Sequence, residues 1–224
     1  PPGPRYAEQE EVDFVVVGSG AAGGVLASEL SEAGFSVVVL EQGPYYRPTS
    51  FTHDEVEVVL NSGFTDPDGK HTATFRKTED VEAEIPGGAG AFAMPAFYAK
   101  MVGGSSVHFT ANYWRFRPVD FHERSVLGPI SGTGLADWPI SYDDLEPYYT
   151  KVDWEVGVSG APGPFDPPRS RPFPVPPMPV KSSGVLFEKG TKALGMHPQP
   201  APMAIPSEPH DGRPACQHCG FCPM

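Results

Sequence analysis

The sequence predicts an α/β protein that opens on a parallel strand–helix–strand unit and continues through long proline-rich loops. Three observations predict it. Residues 12–17 form the run Val12-Asp13-Phe14-Val15-Val16-Val17, rich in β-branched residues and suited to a buried strand of a parallel sheet. The run enters Gly18-Ser19-Gly20-Ala21-Ala22-Gly23-Gly24, beyond which Ala22, Val25, Leu26, Glu29 and Leu30 recur at helical spacing, with Gly34 placed to stop the helix. Ser36-Val37-Val38-Val39-Leu40 then reads as a second buried strand, with Glu41 at its C-terminal end. Together these make a βαβ unit of about thirty residues.

The rest of the composition narrows the class. A chain of 224 residues has room for one large domain or two small ones, and 39% hydrophobic residues suffice for a core. With 28 prolines and 25 glycines, long stretches are neither helix nor strand. A net charge of -12 argues against nucleic acid as a partner, because phosphate binding needs a basic face. No apolar run reaches the roughly 18 residues of a membrane span, and no repeat period emerges. The chain is read as soluble. It begins at Pro1 without a Met, so the lack of a visible signal peptide carries no weight.

Beyond the first unit, residues 1–11 read as a polar tail and 12–45 as the βαβ unit. Residues 44–100 are weakly patterned, with irregular structure and short helices expected. Residues 101–117 form a glycine turn followed by an aromatic-rich stretch. Ser141 reads as a helix N-cap, with Asp143 and Asp144 favourable in the first turn. Residues 161–180 hold nine prolines in twenty positions, and 161–182 are expected to be an extended loop. Residues 185–194 are expected to form one short helix.

Each part of the first glycine motif has a physical task. Gly18 permits a tight turn, Gly20 lets the backbone approach a pyrophosphate, and Gly23 allows close packing of helix on strand. The helix start at Ala21 supplies N–H donors and partial positive charge. Glu41, 23 residues after Gly18, can accept hydrogen bonds from both hydroxyls of a ribose and would repel a 2′-phosphate. The pattern predicts a dinucleotide site, the alternative being an ordinary strand–turn–helix with incidental glycines. The acidic residue standing before a glycine, in Leu40-Glu41-Gln42-Gly43, looks like flavoprotein usage rather than that of a nicotinamide dehydrogenase.

A second motif, Gly103-Gly104-Ser105-Ser106-Val107-His108-Phe109-Thr110, would expose backbone N–H groups, and His108 follows Gly104 by four residues. With Asn112 it resembles the flavin-contacting segment of the glucose–methanol–choline (GMC) oxidoreductase superfamily. Residues 137–149 and 198–216, including Asp211-Gly212-Arg213-Pro214-Ala215-Cys216, are similar to the sequence that follows in that family. The resemblance covers most of the chain from Val12 onward and lies closest to bacterial sugar and alcohol dehydrogenases. It implies a Rossmann-like FAD-binding βαβ unit within a GMC-type flavoprotein fold, incomplete in this chain. Residues 46–160 would form the flavin-contacting part of the FAD domain, and 183–224 the start of the substrate or cap region.

The resemblance also implies site residues. Gly18, Gly20, Ala21, Gly23 and Glu41 would hold the ADP moiety of FAD. Gly103, Gly104, Ser105 and His108 would lie at the flavin, and Asn112 would reach the flavin or the phosphates. The run from Gly103 to Thr110 fits the pattern in which pyranose oxidases bond a histidine to the flavin 8α-methyl. His108 is therefore read either as a covalent attachment point or as a non-covalent contact, with a purely structural histidine as the third option.

All three cysteines, Cys216, Cys219 and Cys222, crowd the end of the chain in a C-x2-C-x2-C run. Closely spaced thiolates can converge on a soft metal, and the spacing suits iron–sulfur ligation. Some GMC dehydrogenases carry a [3Fe-4S] cluster in this region, although they space their cysteines differently. Zinc with His218 as a ligand, and a metal-free loop, remain the other readings.

The resemblance implies hydride transfer from a CH–OH group to flavin N5, with a histidine base in the C-terminal third of a longer chain. None of His53, His71, His108, His122, His197, His210 or His218 occupies the matching position, so no catalytic base is assigned. The chain is expected to be the N-terminal part of an alcohol or sugar dehydrogenase. A remaining C-terminal part or second chain would carry the histidine, and an electron-acceptor protein would be a partner. The alternatives are an oxidase that uses O2, a non-catalytic FAD-binding electron-transfer subunit and, third, a nicotinamide dehydrogenase. Both cytoplasm and periplasm suit such a protein.

Overall fold

The computed structural model describes residues 6–7, 9–51, 54, 56, 74–78, 81–84, 99–107 and 109–220, with 74–78 and 81–84 described by backbone alone. The chain divides into two compact units, Pro1–Thr110 with Phe221–Met224, and Ala111–Gly220.

The first unit is built on strand β1 (Phe14–Val17), helix α1 (Ala21–Glu32) and strand β2 (Val37–Leu40). β1 and β2 pair in parallel, Phe14 opposite Val37 through Val17 opposite Leu40. The start of the pair is clamped by Asp13 and Ser36. The Ser36 N–H and hydroxyl donate to one Asp13 carboxylate oxygen at 2.8 and 2.6 Å, and the Asp13 N–H donates to Ser36 Oγ at 2.9 Å. α1 ends as Gly34 predicts: the Gly34 N–H donates to the Ser31 carbonyl and the Phe35 N–H to that of Leu30, closing a Schellman motif.

The expectation of two buried strands is corrected for both: no residue of β2 is buried, and Leu40 there is 54% exposed. Val16 is buried, but Val15 and Val17 are 57% and 83% exposed. Side chains alternate between the faces of a strand. α1 packs on the face that carries Val16, and Val15 and Val17 stand on the other.

Residues 44–100 also differ from the reading of irregular structure with short helices. A short 3₁₀ turn at Pro48–Ser50 is present, but Thr74–Thr78 (β3) and Val81–Glu84 (β4) pair as an antiparallel hairpin. The signal was the threonine-rich and aromatic run 72–78, which favours extended backbone. Tyr46 and Phe51 pack against buried Ala99 and Met101.

The second unit is organised by α3 (Tyr142–Val156), preceded by a 3₁₀ turn at Pro118–Phe121 and the short helix α2 (Glu123–Leu127). α3 starts as expected, with the Ser141 hydroxyl accepting from the Asp144 N–H and the Asp144 carboxylate accepting from the Ser141 N–H, a reciprocal capping box. Tyr142, Glu146, Thr150 and Asp153 recur at three- and four-residue spacing and share one face. That face holds Arg115, which is 7% exposed. Its guanidinium donates to Asp153 Oδ2 at 3.1 and 2.6 Å, Tyr142 Oη at 3.1 Å, Glu146 Oε1 at 3.2 Å and Thr150 Oγ1 at 3.0 Å.

Arg169, from the proline-rich segment, adds a 2.6 Å bond to the same Asp153 oxygen and lies 3.6 Å over the Phe173 ring. Burial opposes ionisation of Glu146. The Ser170 N–H, the hydroxyls of Thr150 and Ser170, and Arg115 outweigh burial and hold the carboxyl at about 2. The last carbonyls of α3 are closed by a turn at Asp211 and Gly212: the Arg213 guanidinium donates to Val156 and Glu155, and His210 Nε2 bonds the Trp154 carbonyl at 2.6 Å. α4 (Ser182–Ala193) begins three residues before the expected 185–194, directly after Pro179 stops constraining the backbone. Among the described residues, no helix is long and apolar enough to cross a membrane.

Because Arg115 is the cation that the α3 face surrounds, Arg115→Ala leaves Asp153 facing Arg169 alone in a buried setting. Loss of one partner from a buried pair costs about 3–5 kcal/mol. A clear fall in the urea midpoint of Arg115→Ala is expected, and an unchanged midpoint would show that the network does not hold the unit together.

Candidate functional site

The residues singled out in the first glycine motif gather at the C-terminal ends of β1 and β2. The motif turns directly after β1, and α1 begins at Ala21 with Gly20 as its N-cap. No side chain caps this end and the first turn carries no acidic residue. The first intrahelical donor is the Gly24 N–H, to the Gly20 carbonyl. The earlier N–H groups of the turn are therefore outside the helical ladder, the arrangement that favours an anion. A Cβ at Gly23 would stand 2.0 Å from the Gly18 carbonyl oxygen, so only glycine lets α1 approach the turn this closely. Around Gly18 and Gly20, by contrast, nothing stands within 4 Å of a Cβ position. The backbone of the turn is thus open to a close-lying group, as a dinucleotide pyrophosphate requires.

Glu41 closes the other side. Its Oε2 accepts from the Ser19 N–H at 2.8 Å and from the Ser19 hydroxyl at 2.6 Å, and its Oε1 accepts from the Gly43 N–H at 2.8 Å. The Ser19 hydroxyl first, then the backbone N–H groups of Ser19 and Gly43, hold this carboxyl at about 2, so Glu41 is an anion at any ordinary pH. A carboxylate offers about four acceptor positions. Three are occupied here, which leaves one on Oε1 for a ribose hydroxyl. The expected acceptance from both hydroxyls requires Ser19 to yield one.

The second glycine motif reaches the same place. Residues 99–102 run beside Pro44, whose carbonyl accepts from the Val102 N–H at 3.0 Å. Gly104–Val107 is a 3₁₀ turn. Gly104 has a positive φ of 59°, and a Cβ there would lie 3.0 Å from Gly20 Cα, so the two glycine turns are in contact. The Gly103 N–H donates to Ser19 Oγ at 3.0 Å, and Ser105 Oγ accepts from the Ala99 N–H at 2.9 Å. Gly18, Gly20, Ala21, Gly23, Glu41, Gly103, Gly104 and Ser105 thus form one cluster. His108 lies outside the described residues. Asn112 belongs to the second unit, where it forms a β-bridge with Met203.

Ser19 and Gly43 are the participants that sequence reasoning missed. The available signal was a hydroxyl residue at the middle of Gly-x-Gly, with a carboxylate 22 positions later at the end of the next strand.

Of the cysteines, Cys216 is half-buried and Cys219 exposed, both as free thiols, and Cys222 lies outside the described residues. The His218 N–H donates to Cys216 Sγ at 3.3 Å. Among the described residues no three His, Cys, Asp or Glu side chains gather to hold a metal ion, so the iron–sulfur reading, one of the three offered for this run, finds no support there.

Comparison with known proteins agrees with the first unit. Residues 16–65 match the family model described as an NAD(P)-binding Rossmann-like domain. The chain is 33% identical to the fructose dehydrogenase large subunit of Gluconobacter japonicus, over 97% of this chain and 41% of that protein. It is 32% identical to paromamine 6′-oxidase of Streptomyces fradiae, over 94% of this chain and 34% of that protein. Among solved structures, a formate oxidase variant from Aspergillus oryzae, studied for its FAD modification, superposes with a TM-score of 0.53 at 19% identity, over 92% of this chain and 36% of that one. The chain thus spans well under half the length of these relatives. The Rossmann-like βαβ unit of FAD-binding type, expected from the sequence, is present.

Glu41 gives a pH-dependent expectation. Its folded carboxyl titrates at about 2 against an ordinary 4.5, so its contribution to stability is complete above pH 4.5 and is lost as pH falls towards 2. In Ser19→Ala the carboxyl loses its largest source of depression, and its titration, followed by carboxyl-carbon NMR, is expected to move up towards 4.5. A midpoint that stays at about 2 would show that the backbone donors alone set it.

Proposed function

We propose that this chain belongs to the glucose–methanol–choline (GMC) superfamily of FAD oxidoreductases and is the FAD-holding part of an enzyme oxidising a CH–OH group of a sugar or other alcohol, a reading supported by the Rossmann-like match and the identity shared with fructose dehydrogenase. The observation that carries the reading is the cluster at the strand ends: an uncapped helix N-terminus, an ionised carboxylate beside it, and a second glycine turn packed on the first. FAD, when bound, supplies the hydride acceptor. Gly18 and Gly20 leave room for the pyrophosphate, Gly23 lets α1 close on the turn, and the N–H groups of Ala21, Ala22 and Gly23 face the pyrophosphate charge. Glu41 accepts a hydrogen bond from the adenosine ribose. Gly103, Gly104 and Ser105 stand at the flavin end, followed in sequence by His108.

The identity shared with fructose dehydrogenase supports an electron acceptor other than O2. The nearly equal identity shared with paromamine 6′-oxidase supports the second reading, an oxidase that returns electrons to O2. The base that takes the hydroxyl proton is supplied by further polypeptide, in the same chain or a partner. Exposed Val15, Val17 and Leu40 on the two strands fit such an addition, because an apolar sheet face in water is unfavourable.

The test uses the whole protein. Its visible spectrum is expected to show oxidised flavin that bleaches with an alcohol or sugar substrate and reoxidises with a dye acceptor without peroxide. Peroxide released in step with turnover would favour the oxidase, and a colourless native protein would overturn the FAD reading. Acid precipitation is expected to release the flavin to the supernatant, and colour retained in the pellet would mark a covalent bond. Glu41→Ala is expected to weaken FAD binding by about 10- to 100-fold, the worth of one charge-assisted hydrogen bond.

A further inference from the structure

The two glycine motifs lie 84 residues apart between Ser19 and Gly103, yet one hydroxyl joins them. Ser19 Oγ donates to Glu41 Oε2 at 2.6 Å and accepts from the Gly103 N–H at 3.0 Å. A hydroxyl suits both roles at once, since it carries one donor and two acceptor positions. An alanine offers neither. The bond to Gly103 is also directional. The Ser19 hydroxyl proton points at the carboxylate, so its lone pairs are turned towards the incoming N–H.

The two halves of this relay are not equally dependent on Ser19. Without its hydroxyl, Glu41 still receives the Ser19 and Gly43 N–H groups at 2.8 Å each, so the carboxylate stays near its place. The Gly103 N–H, in contrast, loses the partner it has. What remains at that junction is the 3.0 Å approach of a Gly104 Cβ position to Gly20 Cα, a contact with no directional preference.

We infer that Ser19 is a positioning residue that couples the ADP-holding and flavin-holding turns, so that a ligand spanning both pays attention to it and one resting on the first turn alone does not. The inference rests on the FAD reading above and adds a residue that this reading does not use.

The two ligands that separate the cases are FAD and ADP. The whole protein, prepared without cofactor from riboflavin-starved cells, is titrated with each by calorimetry, alongside Ser19→Ala and Ser19→Thr. Ser19→Ala is expected to raise the Kd for FAD about tenfold and that for ADP less than about threefold, and Ser19→Thr to restore FAD binding to within about threefold. Amide hydrogen exchange across Gly103–Val107 is expected to quicken in Ser19→Ala while that of α1 stays unchanged. Should Ser19→Ala fail to fold, Ser19→Cys, a weak hydrogen-bonding substitute, carries the same comparison. Equal weakening of both ligands, or no weakening of FAD, overturns the coupling. Unmutated protein that binds ADP but not FAD overturns the FAD reading itself and the coupling with it.

Discussion

One carboxylate organises the first unit. Glu41 takes three hydrogen bonds from two segments: the turn that leaves β1 and the turn that leaves β2. A parallel pair places both of these turns at the same edge of the sheet, which brings a residue at the end of β2 next to one at the end of β1. The opposite edge is closed by the same chemistry, with Asp13 and Ser36 in the corresponding places. Two serine–carboxylate clamps thus pin the register at both ends, while the central valines supply the apolar contact. A slip of one residue would break both clamps and turn Val16 away from α1, so the register is specified twice.

The second unit solves a different problem. Its proline-rich segment forms no strand and contributes few backbone hydrogen bonds, among them that from the Gly160 N–H to the Val175 carbonyl. It is tied down instead by side chains, Arg169 and Ser170 reaching Asp153 and Glu146 on α3. The face that α3 turns inward is therefore polar, and Arg115 fills it. Such a network is costly to desolvate, and replacing all of it by apolar groups need not weaken the unit. Its value here is that two irregular segments, one before α3 and one after it, are each given one position by the directionality of their bonds.

Much of this was legible in the sequence, for reasons that differ by element. β1, α1 and β2 followed from hydrophobic period and glycine placement, and the Ser141 cap followed from side-chain chemistry at a helix start. These are local signals. The exposure of Val15 and Val17 was not legible, because a β-branched run reports that a strand prefers cover and not whether cover is supplied. The hairpin of β3 and β4 was missed because its charged residues break the apolar alternation that marks a strand. At the site, Gly18, Gly20, Gly23 and Glu41 were legible as a spacing pattern. Ser19 was not, since its role depends on a segment 84 residues away that no local pattern connects to it.

That distance bears on how the site is assembled. The turn after β1 and the carboxylate after β2 are brought together by the sheet itself, and they form as soon as the two strands pair. The segment carrying Gly103 has no strand in this sheet. It is placed by Met101 and Ala99 packing with Tyr46 and Phe51, by the Pro44 carbonyl, and by Ser19. Two of these three ties are to the stretch that directly follows β2, so they set its distance from the sheet. Among the described residues, the Ser19 hydroxyl and the Gly104–Gly20 approach refer it to the first glycine turn. The first glycine turn and its carboxylate are therefore an intrinsic product of βαβ geometry, whereas the second glycine turn is matched to them by a tertiary contact that the sheet does not dictate.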